Sequence, residues 1–175
     1  LFVFLGAFFY AIVYTVWLKR RTWLNIVFGG LAGSWAVLAG ATAADPQLGA
    51  VPLALALVLF LWTPPHFWSL AIAFRDDYAA AGVPMLPVVV GDQRAANTIF
   101  ASTLALVAAS LLPLAFGLGP IYFAGAAIGG FLFIQKAWLL TRQPNRKTAM
   151  VCFHASLMQL TLVLCAAIVD TQLRF

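Results

Sequence analysis

The chain contains no glutamate, and its five acidic residues are all aspartates. Charged residues make up only 9% of its 175 positions, against about 25% in an ordinary soluble domain. So little charge cannot solvate a globular surface, which excludes a soluble enzyme with a water-facing shell. There are two cysteines, Cys152 and Cys165, on one expected helix. At about 1.5 Å of rise per residue they lie roughly 20 Å apart, too far for a bridge within that helix, and they say nothing about redox compartment. The sequence has no phosphate-binding glycine loop, no zinc-ligand spacing, no Ser/His/Asp arrangement and no dinucleotide fingerprint. Hydrolase and dehydrogenase mechanisms of the soluble type therefore have no support.

What the chain does have is long apolar runs. Hydrophobic residues account for 64% of it, and several runs reach the ~20 residues that cross a bilayer as a helix. The expected fold class is an all-α polytopic membrane protein. It forms one domain over 1–175, with six transmembrane segments at about 1–17, 24–44, 51–73, 95–116, 120–140 and 149–170. The chain starts without Met, inside an apolar run and with no signal-peptide pattern, so it is expected to be a piece of a longer protein.

The basic residues order these segments. Lys19, Arg20 and Arg21 fall between the first and second. Arg75 and Arg94 flank the connection between the third and fourth. Arg142, Arg146 and Lys147, with Lys136 nearby, surround the connection between the fifth and sixth. Nine of the ten basic residues thus share one side and Arg174 alone takes the other. By the positive-inside rule the shared side is cytoplasmic. The net charge of +5 accordingly reports topology rather than a nucleic-acid partner.

The longest connection, 74–94, follows a segment that carries Pro64 and Pro65. Proline removes a helix hydrogen bond and kinks the chain, which membranes tolerate where backbone lines a cavity or packs against protein. RDDYAAA (75–81) is expected to form a short helix stopped by Gly82, Pro84 and Pro87, and GVPMLP (82–87) to run extended. Glycines 29, 30, 33 and 40, and 125, 129 and 130, are small-residue tracks suited to close helix packing.

Three constellations could carry chemistry. Asp76 and Asp77 are adjacent acids at a membrane surface. Hard cations such as Mg²⁺ bind through one or two carboxylates plus substrate phosphates, and Arg75 beside them could reach a phosphate oxygen; a solvated loop is the plain alternative. Tyr14, Lys19, Arg20 and Arg21 share that membrane face. They could clamp a diphosphate, or merely set topology. His66 and His154 lie within the membrane at similar depth. An intramembrane histidine could ligate haem iron, act as a base, or hydrogen-bond across helices. His66 follows two prolines and precedes Phe67 and Trp68, side chains suited to the wall of a flat pocket.

At TPPHFW (63–68) followed by DDYAAAGVPMLP (76–87), the chain resembles the protohaem IX farnesyltransferases (haem O synthases) of the intramembrane aromatic prenyltransferase superfamily. YTVWLKRRTWLNIVFGG (14–30) is similar to a second signature of that family, close to YT-x-x-LKR-x-TP-x-N-x-x-x-GG. The resemblance covers essentially the whole chain. It implies a nine-helix bundle of which these segments are the last six, with a central cavity and two acidic motifs that hold Mg²⁺ and the prenyl diphosphate. DDY matches the second motif; the first is not in this sequence. Transfer of the farnesyl group of farnesyl diphosphate to a vinyl group of haem B is implied, in the bacterial inner membrane, with active-site loops cytoplasmic. Membrane lipid is the surrounding partner, and haem A synthase or the oxidase assembly pathway lies downstream. Asp76 and Asp77 become metal ligands, and Lys19 and Arg20 diphosphate contacts, with Tyr14 and Arg75 beside them. His66 becomes a haem contact. Two departures stand out: Trp23 replaces a family proline, and the second segment lacks a Pro-Pro at about Trp35 to Val37. Two alternatives remain: a related membrane enzyme prenylating a phenol or quinone precursor, and a non-catalytic haem-binding assembly protein.

Overall fold

A computed structural model describes residues 1–173. Among them every regular element is helical. The first apolar run, Phe2–Leu18, begins as α1 (Phe2–Phe8) and continues as a π-helical run (Phe9–Leu18). Then come α2 (Asn25–Ala44), α3 (Ala50–Ala73), α4 (Arg75–Ala80), α5 (Leu86–Val90), α6 (Asp92–Ala109), α7 (Leu112–Ala115), α8 (Pro120–Arg142) and α9 (Arg146–Gln172). Five stretches are long and apolar enough to cross a membrane: α2, α3, Asp92–Ala115, α8 and α9. The first run is shorter.

The segment expected as one helix over 95–116 starts earlier and breaks late. Pro113 has no N–H to give the Ala109 carbonyl, and its ring crowds that position. The helix accordingly stops at Ala109 and resumes as α7. Pro64 and Pro65, by contrast, sit buried inside an α3 that runs unbroken from Ala50 to Ala73. Trp35 to Val37 likewise lie within an unbroken α2.

Alternating helices bring all the basic connections to one end. Gln93 donates to the Thr141 carbonyl at 2.9 Å, and the Arg146 guanidinium lies 5.1 Å from the centre of the Phe74 ring. Arg20 and Arg21 line a cavity together with residues of 79–88. At the opposite end Asp170 of α9 accepts backbone hydrogen bonds from the start of α8. Arg174 lies outside the described residues.

The central α3 packs against α2, α6 and α9. The α8–α9 pair is built on the expected glycine track. A Cβ on Gly125 would stand 2.5 Å from the Ala166 Cβ and 2.9 Å from the Leu162 carbonyl oxygen. Neither neighbour is a flexible side-chain tip, so the helices themselves must part. Gly125→Ala is expected to cost about 1–3 kcal/mol, read as a lower midpoint of thermal unfolding in detergent. An unchanged midpoint would mean that the pair tolerates separation.

Candidate functional site

The expected plain helix over 1–17 is in fact π-helical along its second half, and that register shapes the site. The Lys19 N–H donates to the Tyr14 carbonyl five residues back at 2.8 Å, and the Thr15 hydroxyl likewise donates to Tyr10 at 2.8 Å. An i→i−5 ladder brings residues five apart onto one face. Lys19 Nζ consequently lies 5.9 Å from the centre of the Tyr14 ring. Two residues of α2 hold this arrangement. Asn25, fully buried, donates from its side chain to the Lys19 carbonyl at 3.2 Å. Gly29 leaves room for the phenol, since a Cβ there would stand 2.9 Å from Tyr14 Cδ2.

Tyr14 and Lys19 open onto a cavity of about 400 Å³ between the π-helical run, α2 and α3. Its far wall is Trp62, Thr63 and Phe67, and its floor is the glycine track of α2. A neighbouring cavity of about 330 Å³ places Arg20 and Arg21 against Ala79, Gly82, Val83 and Pro84. The basic segment thus meets the uncharged part of the connection that follows the aspartates. Tyr78 of α4 lies near Tyr14. Burial pushes the Tyr78 phenol above its usual range, so it stays protonated and can donate at neutral pH.

α4 is the short helix expected from RDDYAAA. It ends in a glycine turn: Gly82 has φ +66°, Gly82 N–H donates to Ala79 and Val83 N–H to Tyr78, both at 3.0 Å. This cap requires a left-handed residue, which glycine supplies without strain. The following GVPMLP is extended only as far as Met85. Leu86 and Pro87 open α5, because proline is accepted in a first helical turn, where its missing N–H goes unused. Val83, Met85 and Leu86 are buried and anchor the connection.

Asp76 and Asp77 are exposed in the first turn of α4 and line neither cavity. Successive helical residues point about 100° apart, so the two carboxylates diverge. No group of three or more His, Cys, Asp or Glu gathers among the described residues. Arg75 pairs with Asp92 at 3.4 Å, tying the two ends of the connection together, and both partners are partly exposed.

His66 stands one layer behind the cavity wall. It is buried and lies between Trp62, at 4.0 Å, and Phe153, at 4.5 Å, both nearly parallel to it. Its Nδ1 is 2.7 Å from Ser156 Oγ. His154 is exposed and bonds the Met150 carbonyl. Trp23 packs on Trp68, their ring centres 6.0 Å apart.

Sequence reasoning did not single out Asn25, Gly29 or Ser156. Asn25 stood within a quoted signature and Gly29 within a glycine track; Ser156 carried no signal at all.

Residues 1–163 match the model of the UbiA prenyltransferase family. The chain is 62% identical over 170 residues to protoheme IX farnesyltransferase 2 of Paramagnetospirillum magneticum, covering 97% of this chain and 59% of that protein. It is 54% identical to protoheme IX farnesyltransferase 1 of the same organism, covering 97% and 60%. For the farnesyltransferase of Thioalkalivibrio sulfidiphilus the identity is 45%, with 94% and 55% covered. The chain therefore spans a little over half the length of these curated relatives. A solved structure of digeranylgeranylglyceryl phosphate synthase in membranes shares the fold at a TM-score of 0.62 and 22% identity, over 85% of this chain and 50% of that one.

Proposed function

We propose, from the premise that the chain belongs to the UbiA prenyltransferase family, that it carries a farnesyl-transfer site acting on haem B to give haem O. The observation that supports this most is the meeting of Arg20 and Arg21 with residues 79–88 of the connection that carries Asp76 and Asp77, while Tyr14 and Lys19 open onto an apolar cavity. The identities to protoheme IX farnesyltransferases favour haem as the acceptor.

In the reaction the farnesyl C1–O bond breaks and its electron pair leaves with the diphosphate. The π pair of a haem vinyl group forms the new C–C bond. The cation left on the former vinyl carbon takes up the oxygen of water, and a proton is released. Lys19, held at the end of the π-helical run, sets an ammonium beside the departing charge. Arg20 and Arg21 present forked donors from the adjoining cavity. Trp62 and Phe67, with the bare glycine floor, keep water from the farnesyl cation before the vinyl group captures it. Asp76 and Asp77 offer hard oxygen donors of the kind that fit Mg²⁺ completed by phosphate oxygens. Bound there, Mg²⁺ supplies positive charge for the leaving diphosphate. The positive-inside distribution supports a cytoplasmic orientation of these loops; the reading adds a bacterial inner membrane, and a product that would feed haem–copper oxidase assembly.

The test is a product assay on the complete protein, given farnesyl diphosphate, Mg²⁺ and either haem B or a phenolic acceptor. Farnesylated, hydroxylated haem is the expected product. Prenylated phenol without haem O would place the chain in another branch of the family, and haem binding without transfer would make it an assembly protein.

Gly29 gives a second test. In Gly29→Ala the new methyl must displace the Tyr14 ring, and the lysine above it. The expected result is a KM for the diphosphate raised about tenfold, equivalent to ~1.4 kcal/mol of binding, with kcat less affected. Unaltered kinetics would show that the Tyr14 position is irrelevant to the diphosphate.

A further inference from the structure

α4 carries both candidate metal ligands, yet little of it is packed. None of its side chains is fully buried, and Tyr78 alone leans on the core. A helix this short does not stand by itself, so its orientation depends on the groups that tie it to the bundle. Among the described residues, the side-chain hydrogen bond that leaves α4 runs from Arg75 Nη1 to Asp92 Oδ2 of α6, at 3.4 Å.

Asp92 is not a simple surface charge. Its side chain is 31% exposed, but Oδ1 is shut off from solvent and has no hydrogen-bond partner. A carboxylate half removed from water needs a cation close by, and Arg75 provides it. Two further contacts brace the same place. The Arg146 guanidinium lies 5.1 Å from the ring centre of Phe74, the residue just before α4. Gln93, the residue just after Asp92, donates to the Thr141 carbonyl at 2.9 Å. Both contacts lead to the turn between α8 and α9, which a capping box of Asn145 and Thr148 holds in shape. The two ends of the connection are therefore pinned to each other and to one well-held turn, and α4 projects from that junction. An exposed ion pair without such backing contributes little.

We infer that Asp92 is a positioning residue: acting through Arg75, it fixes how α4 sits on the bundle and thereby where Asp76 and Asp77 point. Arg75 then serves the placement of α4 rather than the diphosphate. What the two aspartates hold rests on the function proposed above; the clasp between Arg75 and Asp92 does not.

The experiment follows hydrogen exchange of the segment 75–81 by mass spectrometry in the complete protein, in Asp92→Asn, in Arg75→Gln and in the double variant, with α8 as internal reference. Exchange in that segment reports local opening of α4. Either single variant is expected to exchange about fivefold faster there, with no further gain in the double variant and no change in α8. Asp92→Glu, which keeps the charge, should exchange close to the parent. Equal exchange in the parent and Asp92→Asn overturns the inference. So do effects that add in the double variant, because the two residues would then act apart. The same proteins are assayed for farnesyl transfer across titrations of Mg²⁺ and of farnesyl diphosphate. Half-saturating Mg²⁺ should rise about fivefold in Asp92→Asn and in Arg75→Gln alike. A KM for the diphosphate raised by Arg75→Gln alone would make that arginine a substrate contact and overturn its place in the clasp. Faster exchange with an unchanged Mg²⁺ dependence would leave the clasp standing and remove the aspartates from the metal site.

Discussion

Changing Asp76 and Asp77 together to asparagine should lower farnesyl transfer by about three orders of magnitude and leave the protein folded. Both residues are exposed in the first turn of α4, so neither supports the core. Asparagine keeps the size and most of the local hydrogen bonding while removing two negative charges. It therefore takes away the anionic oxygens a hard cation requires at little cost in shape. Since the side chains diverge on the helix, each is expected to approach the cation–diphosphate group from its own side, and each single variant to lose a substantial part of the activity. The measurement is haem O formed per unit time across a Mg²⁺ titration, with folding checked by circular dichroism. Full activity in the double variant would remove α4 from the site.

The second large effect concerns stability. Asp170 is buried, yet it accepts from Gly119 N–H at 2.7 Å, from Ile121 at 3.1 Å and from Tyr122 at 3.3 Å. Those donors stand at the start of α8, where backbone N–H groups have no partner within the helix. Pro120 among them has no N–H to satisfy. A carboxylate from a helix about 50 residues away thus does the work a neighbouring cap residue usually does, and it also complements the positive end of α8. Because Asp170 is buried within the protein, water does not readily take over its role. Asp170→Ala is expected to cost on the order of 3–5 kcal/mol, a fall of roughly ten degrees in unfolding midpoint for a chain of this size. Asp170→Asn should recover part of that loss, because an amide oxygen still accepts but brings no charge. An alanine variant as stable as the parent would mean that the start of α8 has another source of acceptors.

The five longest spans could be located from apolar length alone, and the charge count put their connections at the right ends of the bundle, as the Gln93–Thr141 and Arg146–Phe74 contacts attest. Local rules also found α4 and its glycine stop. The sequence was silent wherever a distant residue decides the outcome. Asp170 only closes the last expected segment, and nothing near it in sequence announces that it caps α8. Ser156 is one small polar residue among many, and only the approach of α3 gives it a partner. The break at Ala109 was readable in principle from Pro113, through the carbonyl four residues back, but the apolar run hid it. For the candidate site, the sequence indicated that the basic connections share one end of the bundle. Which groups share a cavity could not be read, because that depends on how α2 and α3 lean on the first helix.

The π-helical run also sets the rotation of everything before it. A π turn holds about one residue more than an α turn, so deleting a residue between Tyr14 and Lys19 would let that turn of the ten-residue run take up α pitch. The phenol and ammonium would remain neighbours, now four apart. The cost would appear upstream, where every side chain would swing by about 100°. Phe2 and Phe9, which now pack on Trp35 at 5.8 and 6.1 Å, would turn away from α2. The wider pitch thus acts as a phase adjustment, allowing one helix to serve a cavity-lining face and a packing face that a uniform pitch would set out of step.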